Sequence, residues 1–276
     1  MKDIQKRQRL GYRPLWMFWL LGLLGIPGCT GTPKSEVPPV KAPDFLSHTE
    51  HRVISLYPDQ GERSPRMNLS ISLLEGSGSL GQFIQERLYE GLSPQAYTGR
   101  LISRYSDQYF AVKDSPILLD EYGGGFPESL NWEYTETWEA GSPWPEVLVI
   151  SRNLEYYLGG AHGMREKRYF VIFQGAQQWA VEDLIEPASW PRLEGLIAAA
   201  LRVEANLEPD TPLSQGGFFE DTVGVPDNFF LTPQGLGFHW DPYEIGPYVM
   251  GSLEVLLPYE QIQDMLKPGT PLGVDP

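Results

Sequence analysis

The chain has 276 residues and a formal net charge of −15 at pH 7, with 36 acidic and 21 basic side chains. Such an acidic protein is a poor candidate for binding nucleic acid or an anionic lipid surface, and it favours encounters with a basic partner. Solubility of an exported protein is the simpler explanation of the same charge. The single cysteine excludes an intrachain disulfide, so stability must come from a packed core.

Residues 1–28 predict an export signal. Five basic side chains precede the apolar run "LWMFWLLGLLGIPG", which is short for a membrane span and typical of a signal-peptide core. The run ends at Cys29, and its last residues resemble the lipobox of bacterial lipoproteins, in which the cysteine is lipidated and becomes the first residue. An uncleaved anchor and an ordinary secretory signal are the alternatives. Loss of residues 1–28, with five basic and one acidic group, would leave a charge of −19.

The location follows from this signal. A lipidated Cys29, carrying acyl chains such as palmitate, would anchor the protein to a membrane of the bacterial cell envelope. Thr30, in place of an aspartate, resembles the outer-membrane sorting pattern of cells with two membranes.

Composition divides the rest of the chain into four parts. Residues 29–49 are rich in proline and polar residues and predict a solvated tether. Globular patterns begin at residue 50, with an N-terminal lobe at 50–144 and a C-terminal lobe at 145–266. Residues 267–276 are rich in proline and glycine and predict a tail.

The spacing of apolar residues predicts the secondary structure in chain order. Strands are predicted at 67–75, 130–139, 145–160, 165–173, 228–240 and 251–259, and helices at 80–92 and 190–207. Because strands neighbour strands and only two segments have clear helical spacing, we predict an α+β fold with antiparallel sheets, a few packed helices and two lobes.

Common catalytic and cofactor motifs give little support to an enzyme. The segment "GSGSLG" (76–81) matches a dinucleotide-binding pattern, but the strand before it alternates instead of being apolar throughout, so we interpret it as a strand-to-helix turn. The sequence has no G-x-S-x-G elbow and no free thiol once Cys29 is modified. "HTEH" (48–51) offers two histidines, which we expect to be solvated. We therefore predict no cofactor and no metal site.

The first candidate site is the turn "GGAHG", with Gly159, Gly160, Ala161 and His162. His162 has three interpretations: a general base beside a carboxylate, a structural residue of a tight turn, or a recognition residue at an exposed tip. The second candidate site is a loop with two Pro-Tyr pairs, where prolines stiffen the presentation of tyrosine rings. Its residues are Pro242, Tyr243, Glu244, Pro247 and Tyr248. Tyrosines that merely close the end of a sheet are the alternative.

The two segments together resemble a known exported domain. "YYLGGAHG", a strand, "WAVEDLIEP", a helix and "NFFLTPQGLGFHWDPYEIGPYVMG" are similar, in order and spacing, to a domain of unknown function in RsiV-type anti-sigma factors and PdaC-type peptidoglycan deacetylases. The resemblance covers roughly residues 145–266. It implies an α+β fold, an envelope location and, as in RsiV-type proteins, binding of lysozyme.

The function expected from this resemblance is binding, not catalysis. The dozen residues before the apolar run are too few for a sigma-factor-binding domain, and the short tail leaves no room for a deacetylase domain. We expect a lipid-anchored module that binds a protein, such as a basic lysozyme-like muramidase, or peptidoglycan. The alternatives are a glycan-modifying enzyme that uses His162 with a carboxylate from residues 182–186, and a structural lipoprotein.

Overall fold

The computed structural model of the protein describes residues 45–114, 126–173, 177–270 and 272. The predicted signal peptide and Cys29 lie outside this part of the chain. These described residues belong to one compact unit. None of the described helices has the length and apolar character needed to cross a membrane.

The described strands form two sheets. The larger sheet has six strands in chain order: β1 (Leu46–Ser55), β2 (Arg66–Glu75), β3 (Trp132–Trp144), β4 (Val147–Tyr157), β5 (Met164–Phe173) and β6 (Gln177–Trp179). The smaller sheet is antiparallel and contains β7 (Phe229–Thr232), β8 (Gly235–Trp240) and β9 (Leu253–Pro258). Neighbouring strands of the larger sheet are antiparallel except β2 and β3, which are parallel.

The helices cover the two sheets. Those described are α1 (Gly78–Phe83), α2 (Pro94–Ala111), α3 (Val181–Leu184), α4 (Trp190–Glu204) and α5 (Tyr259–Ile262). A parallel strand pair needs a long crossover, and α1, a π-helical turn and α2 lie in the connection between β2 and β3. The predicted α+β class with antiparallel sheets is confirmed.

Two of the longer elements were missed from the sequence. Strand β1 begins at Leu46, inside the segment predicted as a tether, and contains both histidines of "HTEH". Helix α2 begins at a Ser93 cap, whose hydroxyl accepts a hydrogen bond from the Ala96 N–H at 3.2 Å, followed by Pro94. Its buried face contains Tyr97 and Tyr109. Because tyrosines form much of that face, the helix lacks the aliphatic spacing that a sequence pattern detects.

The β4–β5 pair lies between two hydrophobic cores. Leu148 and Ile172 face the first core, which α2 covers, while Val147 and Val171 face the second core, which α4 and the smaller sheet cover. Side chains alternate between the two faces of a strand, so this pair is buried on both. Strands from either side of the predicted lobe boundary at 144/145 therefore share one sheet.

A buried carboxylate joins α2 to the larger sheet. Glu136 on β3 is 0% exposed and accepts two hydrogen bonds from the Arg152 guanidinium, both at 3.0 Å. Tyr134 donates a further short hydrogen bond, Trp138 donates one at 2.7 Å, and Tyr97 on α2 donates one at 3.2 Å. Burial alone would raise the pKa of Glu136, but the bonds from Arg152 and the aromatic donors outweigh it and lower that pKa.

Loss of Arg152 should be far more destabilising than loss of an exposed arginine in the same sheet. Arg152→Leu leaves the buried Glu136 charge without its partner, and we expect a loss of about 3–5 kcal/mol in the free energy of unfolding. Arg165→Leu is the matched control, because the Arg165–Glu155 pair is exposed and should contribute at most about 1 kcal/mol. Urea unfolding of both variants measures the difference, and equal losses would contradict the stabilising role of the buried pair.

Candidate functional site

The "GGAHG" segment is the turn that connects β4 to β5. Gly159 and Gly160 have φ angles of 81° and 108°, which side-chain-bearing residues rarely adopt. A Cβ atom at Gly159 would also lie 3.1 Å from the Ser129 carbonyl oxygen and 3.1 Å from the Trp132 indole nitrogen. The turn therefore packs closely against the residues around the start of β3, and it leaves His162 exposed.

The Pro-Tyr loop connects β8 to β9. Asp241 donates its backbone N–H to the Glu244 carboxylate at 2.8 Å, which closes a tight turn around Pro242 and Tyr243. Tyr243 has a φ of 75°, a conformation that costs a non-glycine residue roughly 1–3 kcal/mol. Its side chain is 50% exposed. A strained backbone that holds an exposed tyrosine favours a functional interpretation over simple closure of a sheet.

The turn and the loop meet in one aromatic cluster, formed by His162, Tyr243 and Tyr248. The His162 and Tyr248 rings are stacked with 3.8 Å between their centroids, and the Tyr243 hydroxyl lies 3.2 Å from His162 Nε2. Tyr248 donates its hydroxyl to the Gly163 carbonyl at 2.8 Å. The same carbonyl lies 2.9 Å from His162 Nδ1, so Nδ1 donates to it, and in the neutral ring Nε2 then accepts from Tyr243.

A groove of about 780 Å³ runs beside this cluster. Its walls come from the ends of β3, β4 and β5 that face the turn and from the loop between β8 and β9, including Glu133, Glu155, Arg165, Tyr248 and Val249. Val249 is 89% exposed. Exposed apolar and aromatic groups beside a concave surface with a few charged groups are typical of a recognition site.

A buried histidine holds the base of the Pro-Tyr loop. His239 at the end of β8 is 2% exposed, with Nε2 2.9 Å from Asp241 and Nδ1 2.9 Å from Glu254 on β9. Burial lowers the pKa of His239, but the hydrogen bonds to the two carboxylates outweigh it and raise that pKa. The hydrogen bond from His239 in turn lowers the pKa of Glu254 to about 2.

Side chains of the β7–β8 region occupy the edge of β5. Asp241 accepts the backbone N–H of Lys167 at 2.8 Å, and Asn228 accepts that of Tyr169 at 3.0 Å. The Asn228 amide also donates to the Lys167 carbonyl at 2.7 Å. These bonds take the place of a strand partner along this edge and fix the loop relative to the turn.

Residues 182–260 match a known family model. The family is described as "Protein of unknown function (DUF3298)". The matched region contains α4, all three strands of the smaller sheet and the Pro-Tyr loop. The match begins at residue 182, so the "GGAHG" turn lies before it in the chain. This match supports an uncharacterised DUF3298-type domain in the chain. No curated protein matches the chain in sequence.

Solved structures of this kind share the fold over most of the chain. A member of the DUF3298 family from Bacteroides fragilis is 19% identical with a TM-score of 0.67, covering 86% of this chain and 98% of the other. A DUF3298 family protein from Pseudomonas aeruginosa is 18% identical with a TM-score of 0.55, covering 82% of this chain and 95% of the other. The shared architecture therefore extends well beyond the region of the DUF3298 match.

The structure brings some of the predicted site residues together and leaves the others apart. His162, Tyr243 and Tyr248 come together, and the buried Pro242 lines the groove beside them. The others shape the backbone or lie outside these contacts: Gly159, Gly160, Ala161, Glu244 and Pro247.

Sequence reasoning missed both carboxylate networks. Glu136 lies in the same alternation phase as Trp132, Tyr134 and Trp138, so a charge on an otherwise aromatic strand face was the available signal. His239 gave no such signal, because Glu254 lies on another strand. Within the described residues, no group of three or more histidine, cysteine or acidic side chains is arranged to hold a metal ion.

Replacement of His239 should change the pH dependence of stability. A raised folded-state pKa means that the contribution of His239 is complete below about pH 6.5 and is lost as the pH rises through the folded-state value. The free energy of unfolding should therefore differ more between wild type and His239→Gln at about pH 5.5 than at about pH 9. Chemical denaturation at the two pH values measures this. The exposed His51 provides the control His51→Gln, and an equal pH profile for both variants would contradict the role of His239.

Proposed function

We propose that this protein is a lipid-anchored component of the bacterial cell envelope whose DUF3298-type domain binds a protein or cell-wall ligand without catalysing a reaction. A basic lysozyme-like muramidase is the most specific candidate partner. The similarity of the turn and the Pro-Tyr loop to RsiV-type and PdaC-type exported regions supports this role. The observation that carries the proposal is the aromatic cluster beside the groove.

The aromatic cluster has the properties of a binding hot spot. Tyrosines supply a large contact area with few torsions to freeze, and they are enriched among residues that dominate binding energy. Tyr248 is already fixed by stacking on His162 and by its bond to Gly163, while Tyr243 is held by its backbone turn. A partner would therefore lose little side-chain entropy on docking, which favours affinity.

The charges around the groove favour a cationic partner. Glu133 and Glu155 line the groove, and Arg165 pairs with Glu155 at 3.3 Å. Together these three side chains carry one net negative charge. A neighbouring cavity of about 350 Å³ shares Glu155 and Arg165 and adds Glu166 and Glu204. Together with the charge of the whole chain, this surface would accelerate the approach of a basic protein at low salt.

The contacts of His162 support recognition over catalysis. A histidine that acts as a general base is typically oriented by a partner that also stabilises the positive charge of the protonated ring, as a carboxylate does. His162 instead bonds the Gly163 carbonyl and the Tyr243 hydroxyl, and no carboxylate in the described ranges hydrogen-bonds to it. The His162 ring stacks against the Tyr248 ring.

A lysozyme titration tests the binding role. The full chain in detergent should bind a basic lysozyme saturably at physiological salt and more tightly at low salt, because charge steering adds to aromatic contact. Tyr243→Gly relieves the backbone strain while removing the ring, and Tyr248→Ala removes the stack; each should weaken binding by about 2 kcal/mol or more. Isothermal titration calorimetry gives the affinities.

The control for this titration is an exposed aromatic residue elsewhere. Phe219 is 54% exposed and lies outside the groove, so Phe219→Ala should bind as the wild type does. Absence of saturable binding at physiological salt would remove lysozyme as the partner, and retention on isolated peptidoglycan would then identify a cell-wall ligand. Unchanged affinity in both tyrosine variants would refute the proposed surface. Glycan turnover that disappears in His162→Ala would replace the binding role with catalysis.

Lipidation at Cys29 has a separate test. We expect the protein purified from membranes to begin at Cys29 and to carry a diacylglycerol, as its lipobox-like sequence indicates. Mass spectrometry of the N-terminal peptide detects the modification. Cys29→Ser should release the protein from the membrane fraction, and a free thiol on the wild-type Cys29 would disprove the anchor.

A further inference from the structure

Another cavity, distinct from the groove and from the smaller cavity beside it, lies between α2 and the larger sheet. Its volume is about 450 Å³, within the range of small-molecule sites. It is formed by the π-helical turn after α1, by α2 and by strands β3 to β5. We call it the arginine cavity, because four arginines line it: Arg87, Arg100, Arg104 and Arg152.

The charge of this cavity is opposite to that of the protein. Two of its arginines are paired, Arg100 with Glu90 at 2.9 Å and Arg152 with Glu136 at 3.0 Å. Arg87 and Arg104 have no carboxylate within ion-pair distance in the described part of the chain. Two positive charges are thus left over in one concave surface of a chain whose net charge is −15.

Aromatic rings lie close to three of these guanidinium groups, those of Arg100, Arg104 and Arg152. Arg100 and Arg104 are four residues apart on α2 and so share one helix face. The Arg104 guanidinium lies 5.6 Å from the Tyr105 ring centroid, and the Arg100 guanidinium 5.4 Å from that of Tyr97. Glu136 accepts hydrogen bonds from Nε and Nη2 of Arg152, so Nη1 of Arg152 makes no bond to Glu136. Arginine forks held in place before a ligand arrives lose less entropy when they bind one.

We propose that the arginine cavity binds a sugar-sized organic anion through its phosphate or carboxylate groups. Guanidinium forks match the geometry of both oxyanions, and an anionic ligand would pair with the two charges of Arg87 and Arg104 that no described carboxylate balances. The ring of Tyr105 adds an aromatic wall for the neutral part of the molecule. This site does not depend on the proposed aromatic groove or on lysozyme binding.

Three sugars of similar size test the proposal and distinguish the two anions. N-acetylglucosamine 1-phosphate carries a phosphate, N-acetylmuramic acid carries a carboxylate, and N-acetylglucosamine carries neither. Calorimetric titration of the full chain in detergent should show saturable binding, at millimolar affinity or better, for one or both anionic sugars. The preferred sugar identifies the oxyanion, while equal binding of N-acetylglucosamine or no saturable binding of either anion would overturn the proposal.

Single arginine replacements locate the binding. Arg87→Gln and Arg104→Gln remove exposed guanidinium groups from the cavity, so each should weaken binding of the anionic sugar about ten-fold or more while the fold is kept. Arg63→Gln makes the same charge change at an exposed position outside the cavity and should leave the affinity unchanged. Thermal unfolding confirms that each variant is folded. Equal affinities in all three variants would place the binding elsewhere and refute the site.

Discussion

The antiparallel pairing of β4 with β5 is the constraint on which the rest of the structure depends. The register runs from Val147 opposite Phe173 to Tyr156 opposite Met164, and both faces of the pair are buried in different cores. A shift by one residue would exchange the faces, so that side chains packed in one core would have to fit the other. The same register fixes the turn that carries His162 and the β5 edge that Asp241 and Asn228 occupy. The aromatic cluster is therefore positioned by the sheet.

Two hydrogen-bond networks, one around the buried Glu136 and one around the buried His239, extend this constraint in opposite directions. Glu136 links β3 and β4 to α2 through Arg152 and Tyr97, and so fixes one wall of the arginine cavity. His239 links β8 to β9 through Asp241 and Glu254, and so fixes the base of the Pro-Tyr loop. Burying a charge is costly unless every partner is in place, so such networks favour one arrangement over looser alternatives. The two candidate binding surfaces differ in charge because Glu133 and Glu155 line the groove, whereas four arginines line the arginine cavity.

The candidate site was predictable in its parts but not in its assembly. Glycines around His162 and prolines before Tyr243 and Tyr248 indicated a tight turn and a stiff loop, because these residue types restrict the backbone locally. Their contact depends on pairing across 81 residues, from His162 to Tyr243, and no local pattern contains that information. The arginine cavity could not be predicted from the sequence for the same reason, since Arg87, Arg104 and Arg152 belong to three different elements.

The sequence alone determined the α+β class, the segments that contain seven of the nine described strands, and the helix after Trp190, because alternation and helical spacing reflect which side chains must be buried. It did not reveal β1 or α2, whose polar and tyrosine-rich faces hide their periodicity. Only the tertiary structure decided that β2 and β3 are parallel, that Glu136 and His239 are buried and paired, and that the turn meets the loop. These outcomes depend on contacts between residues distant in the chain, whose energies arise only when the sheets and cores have assembled.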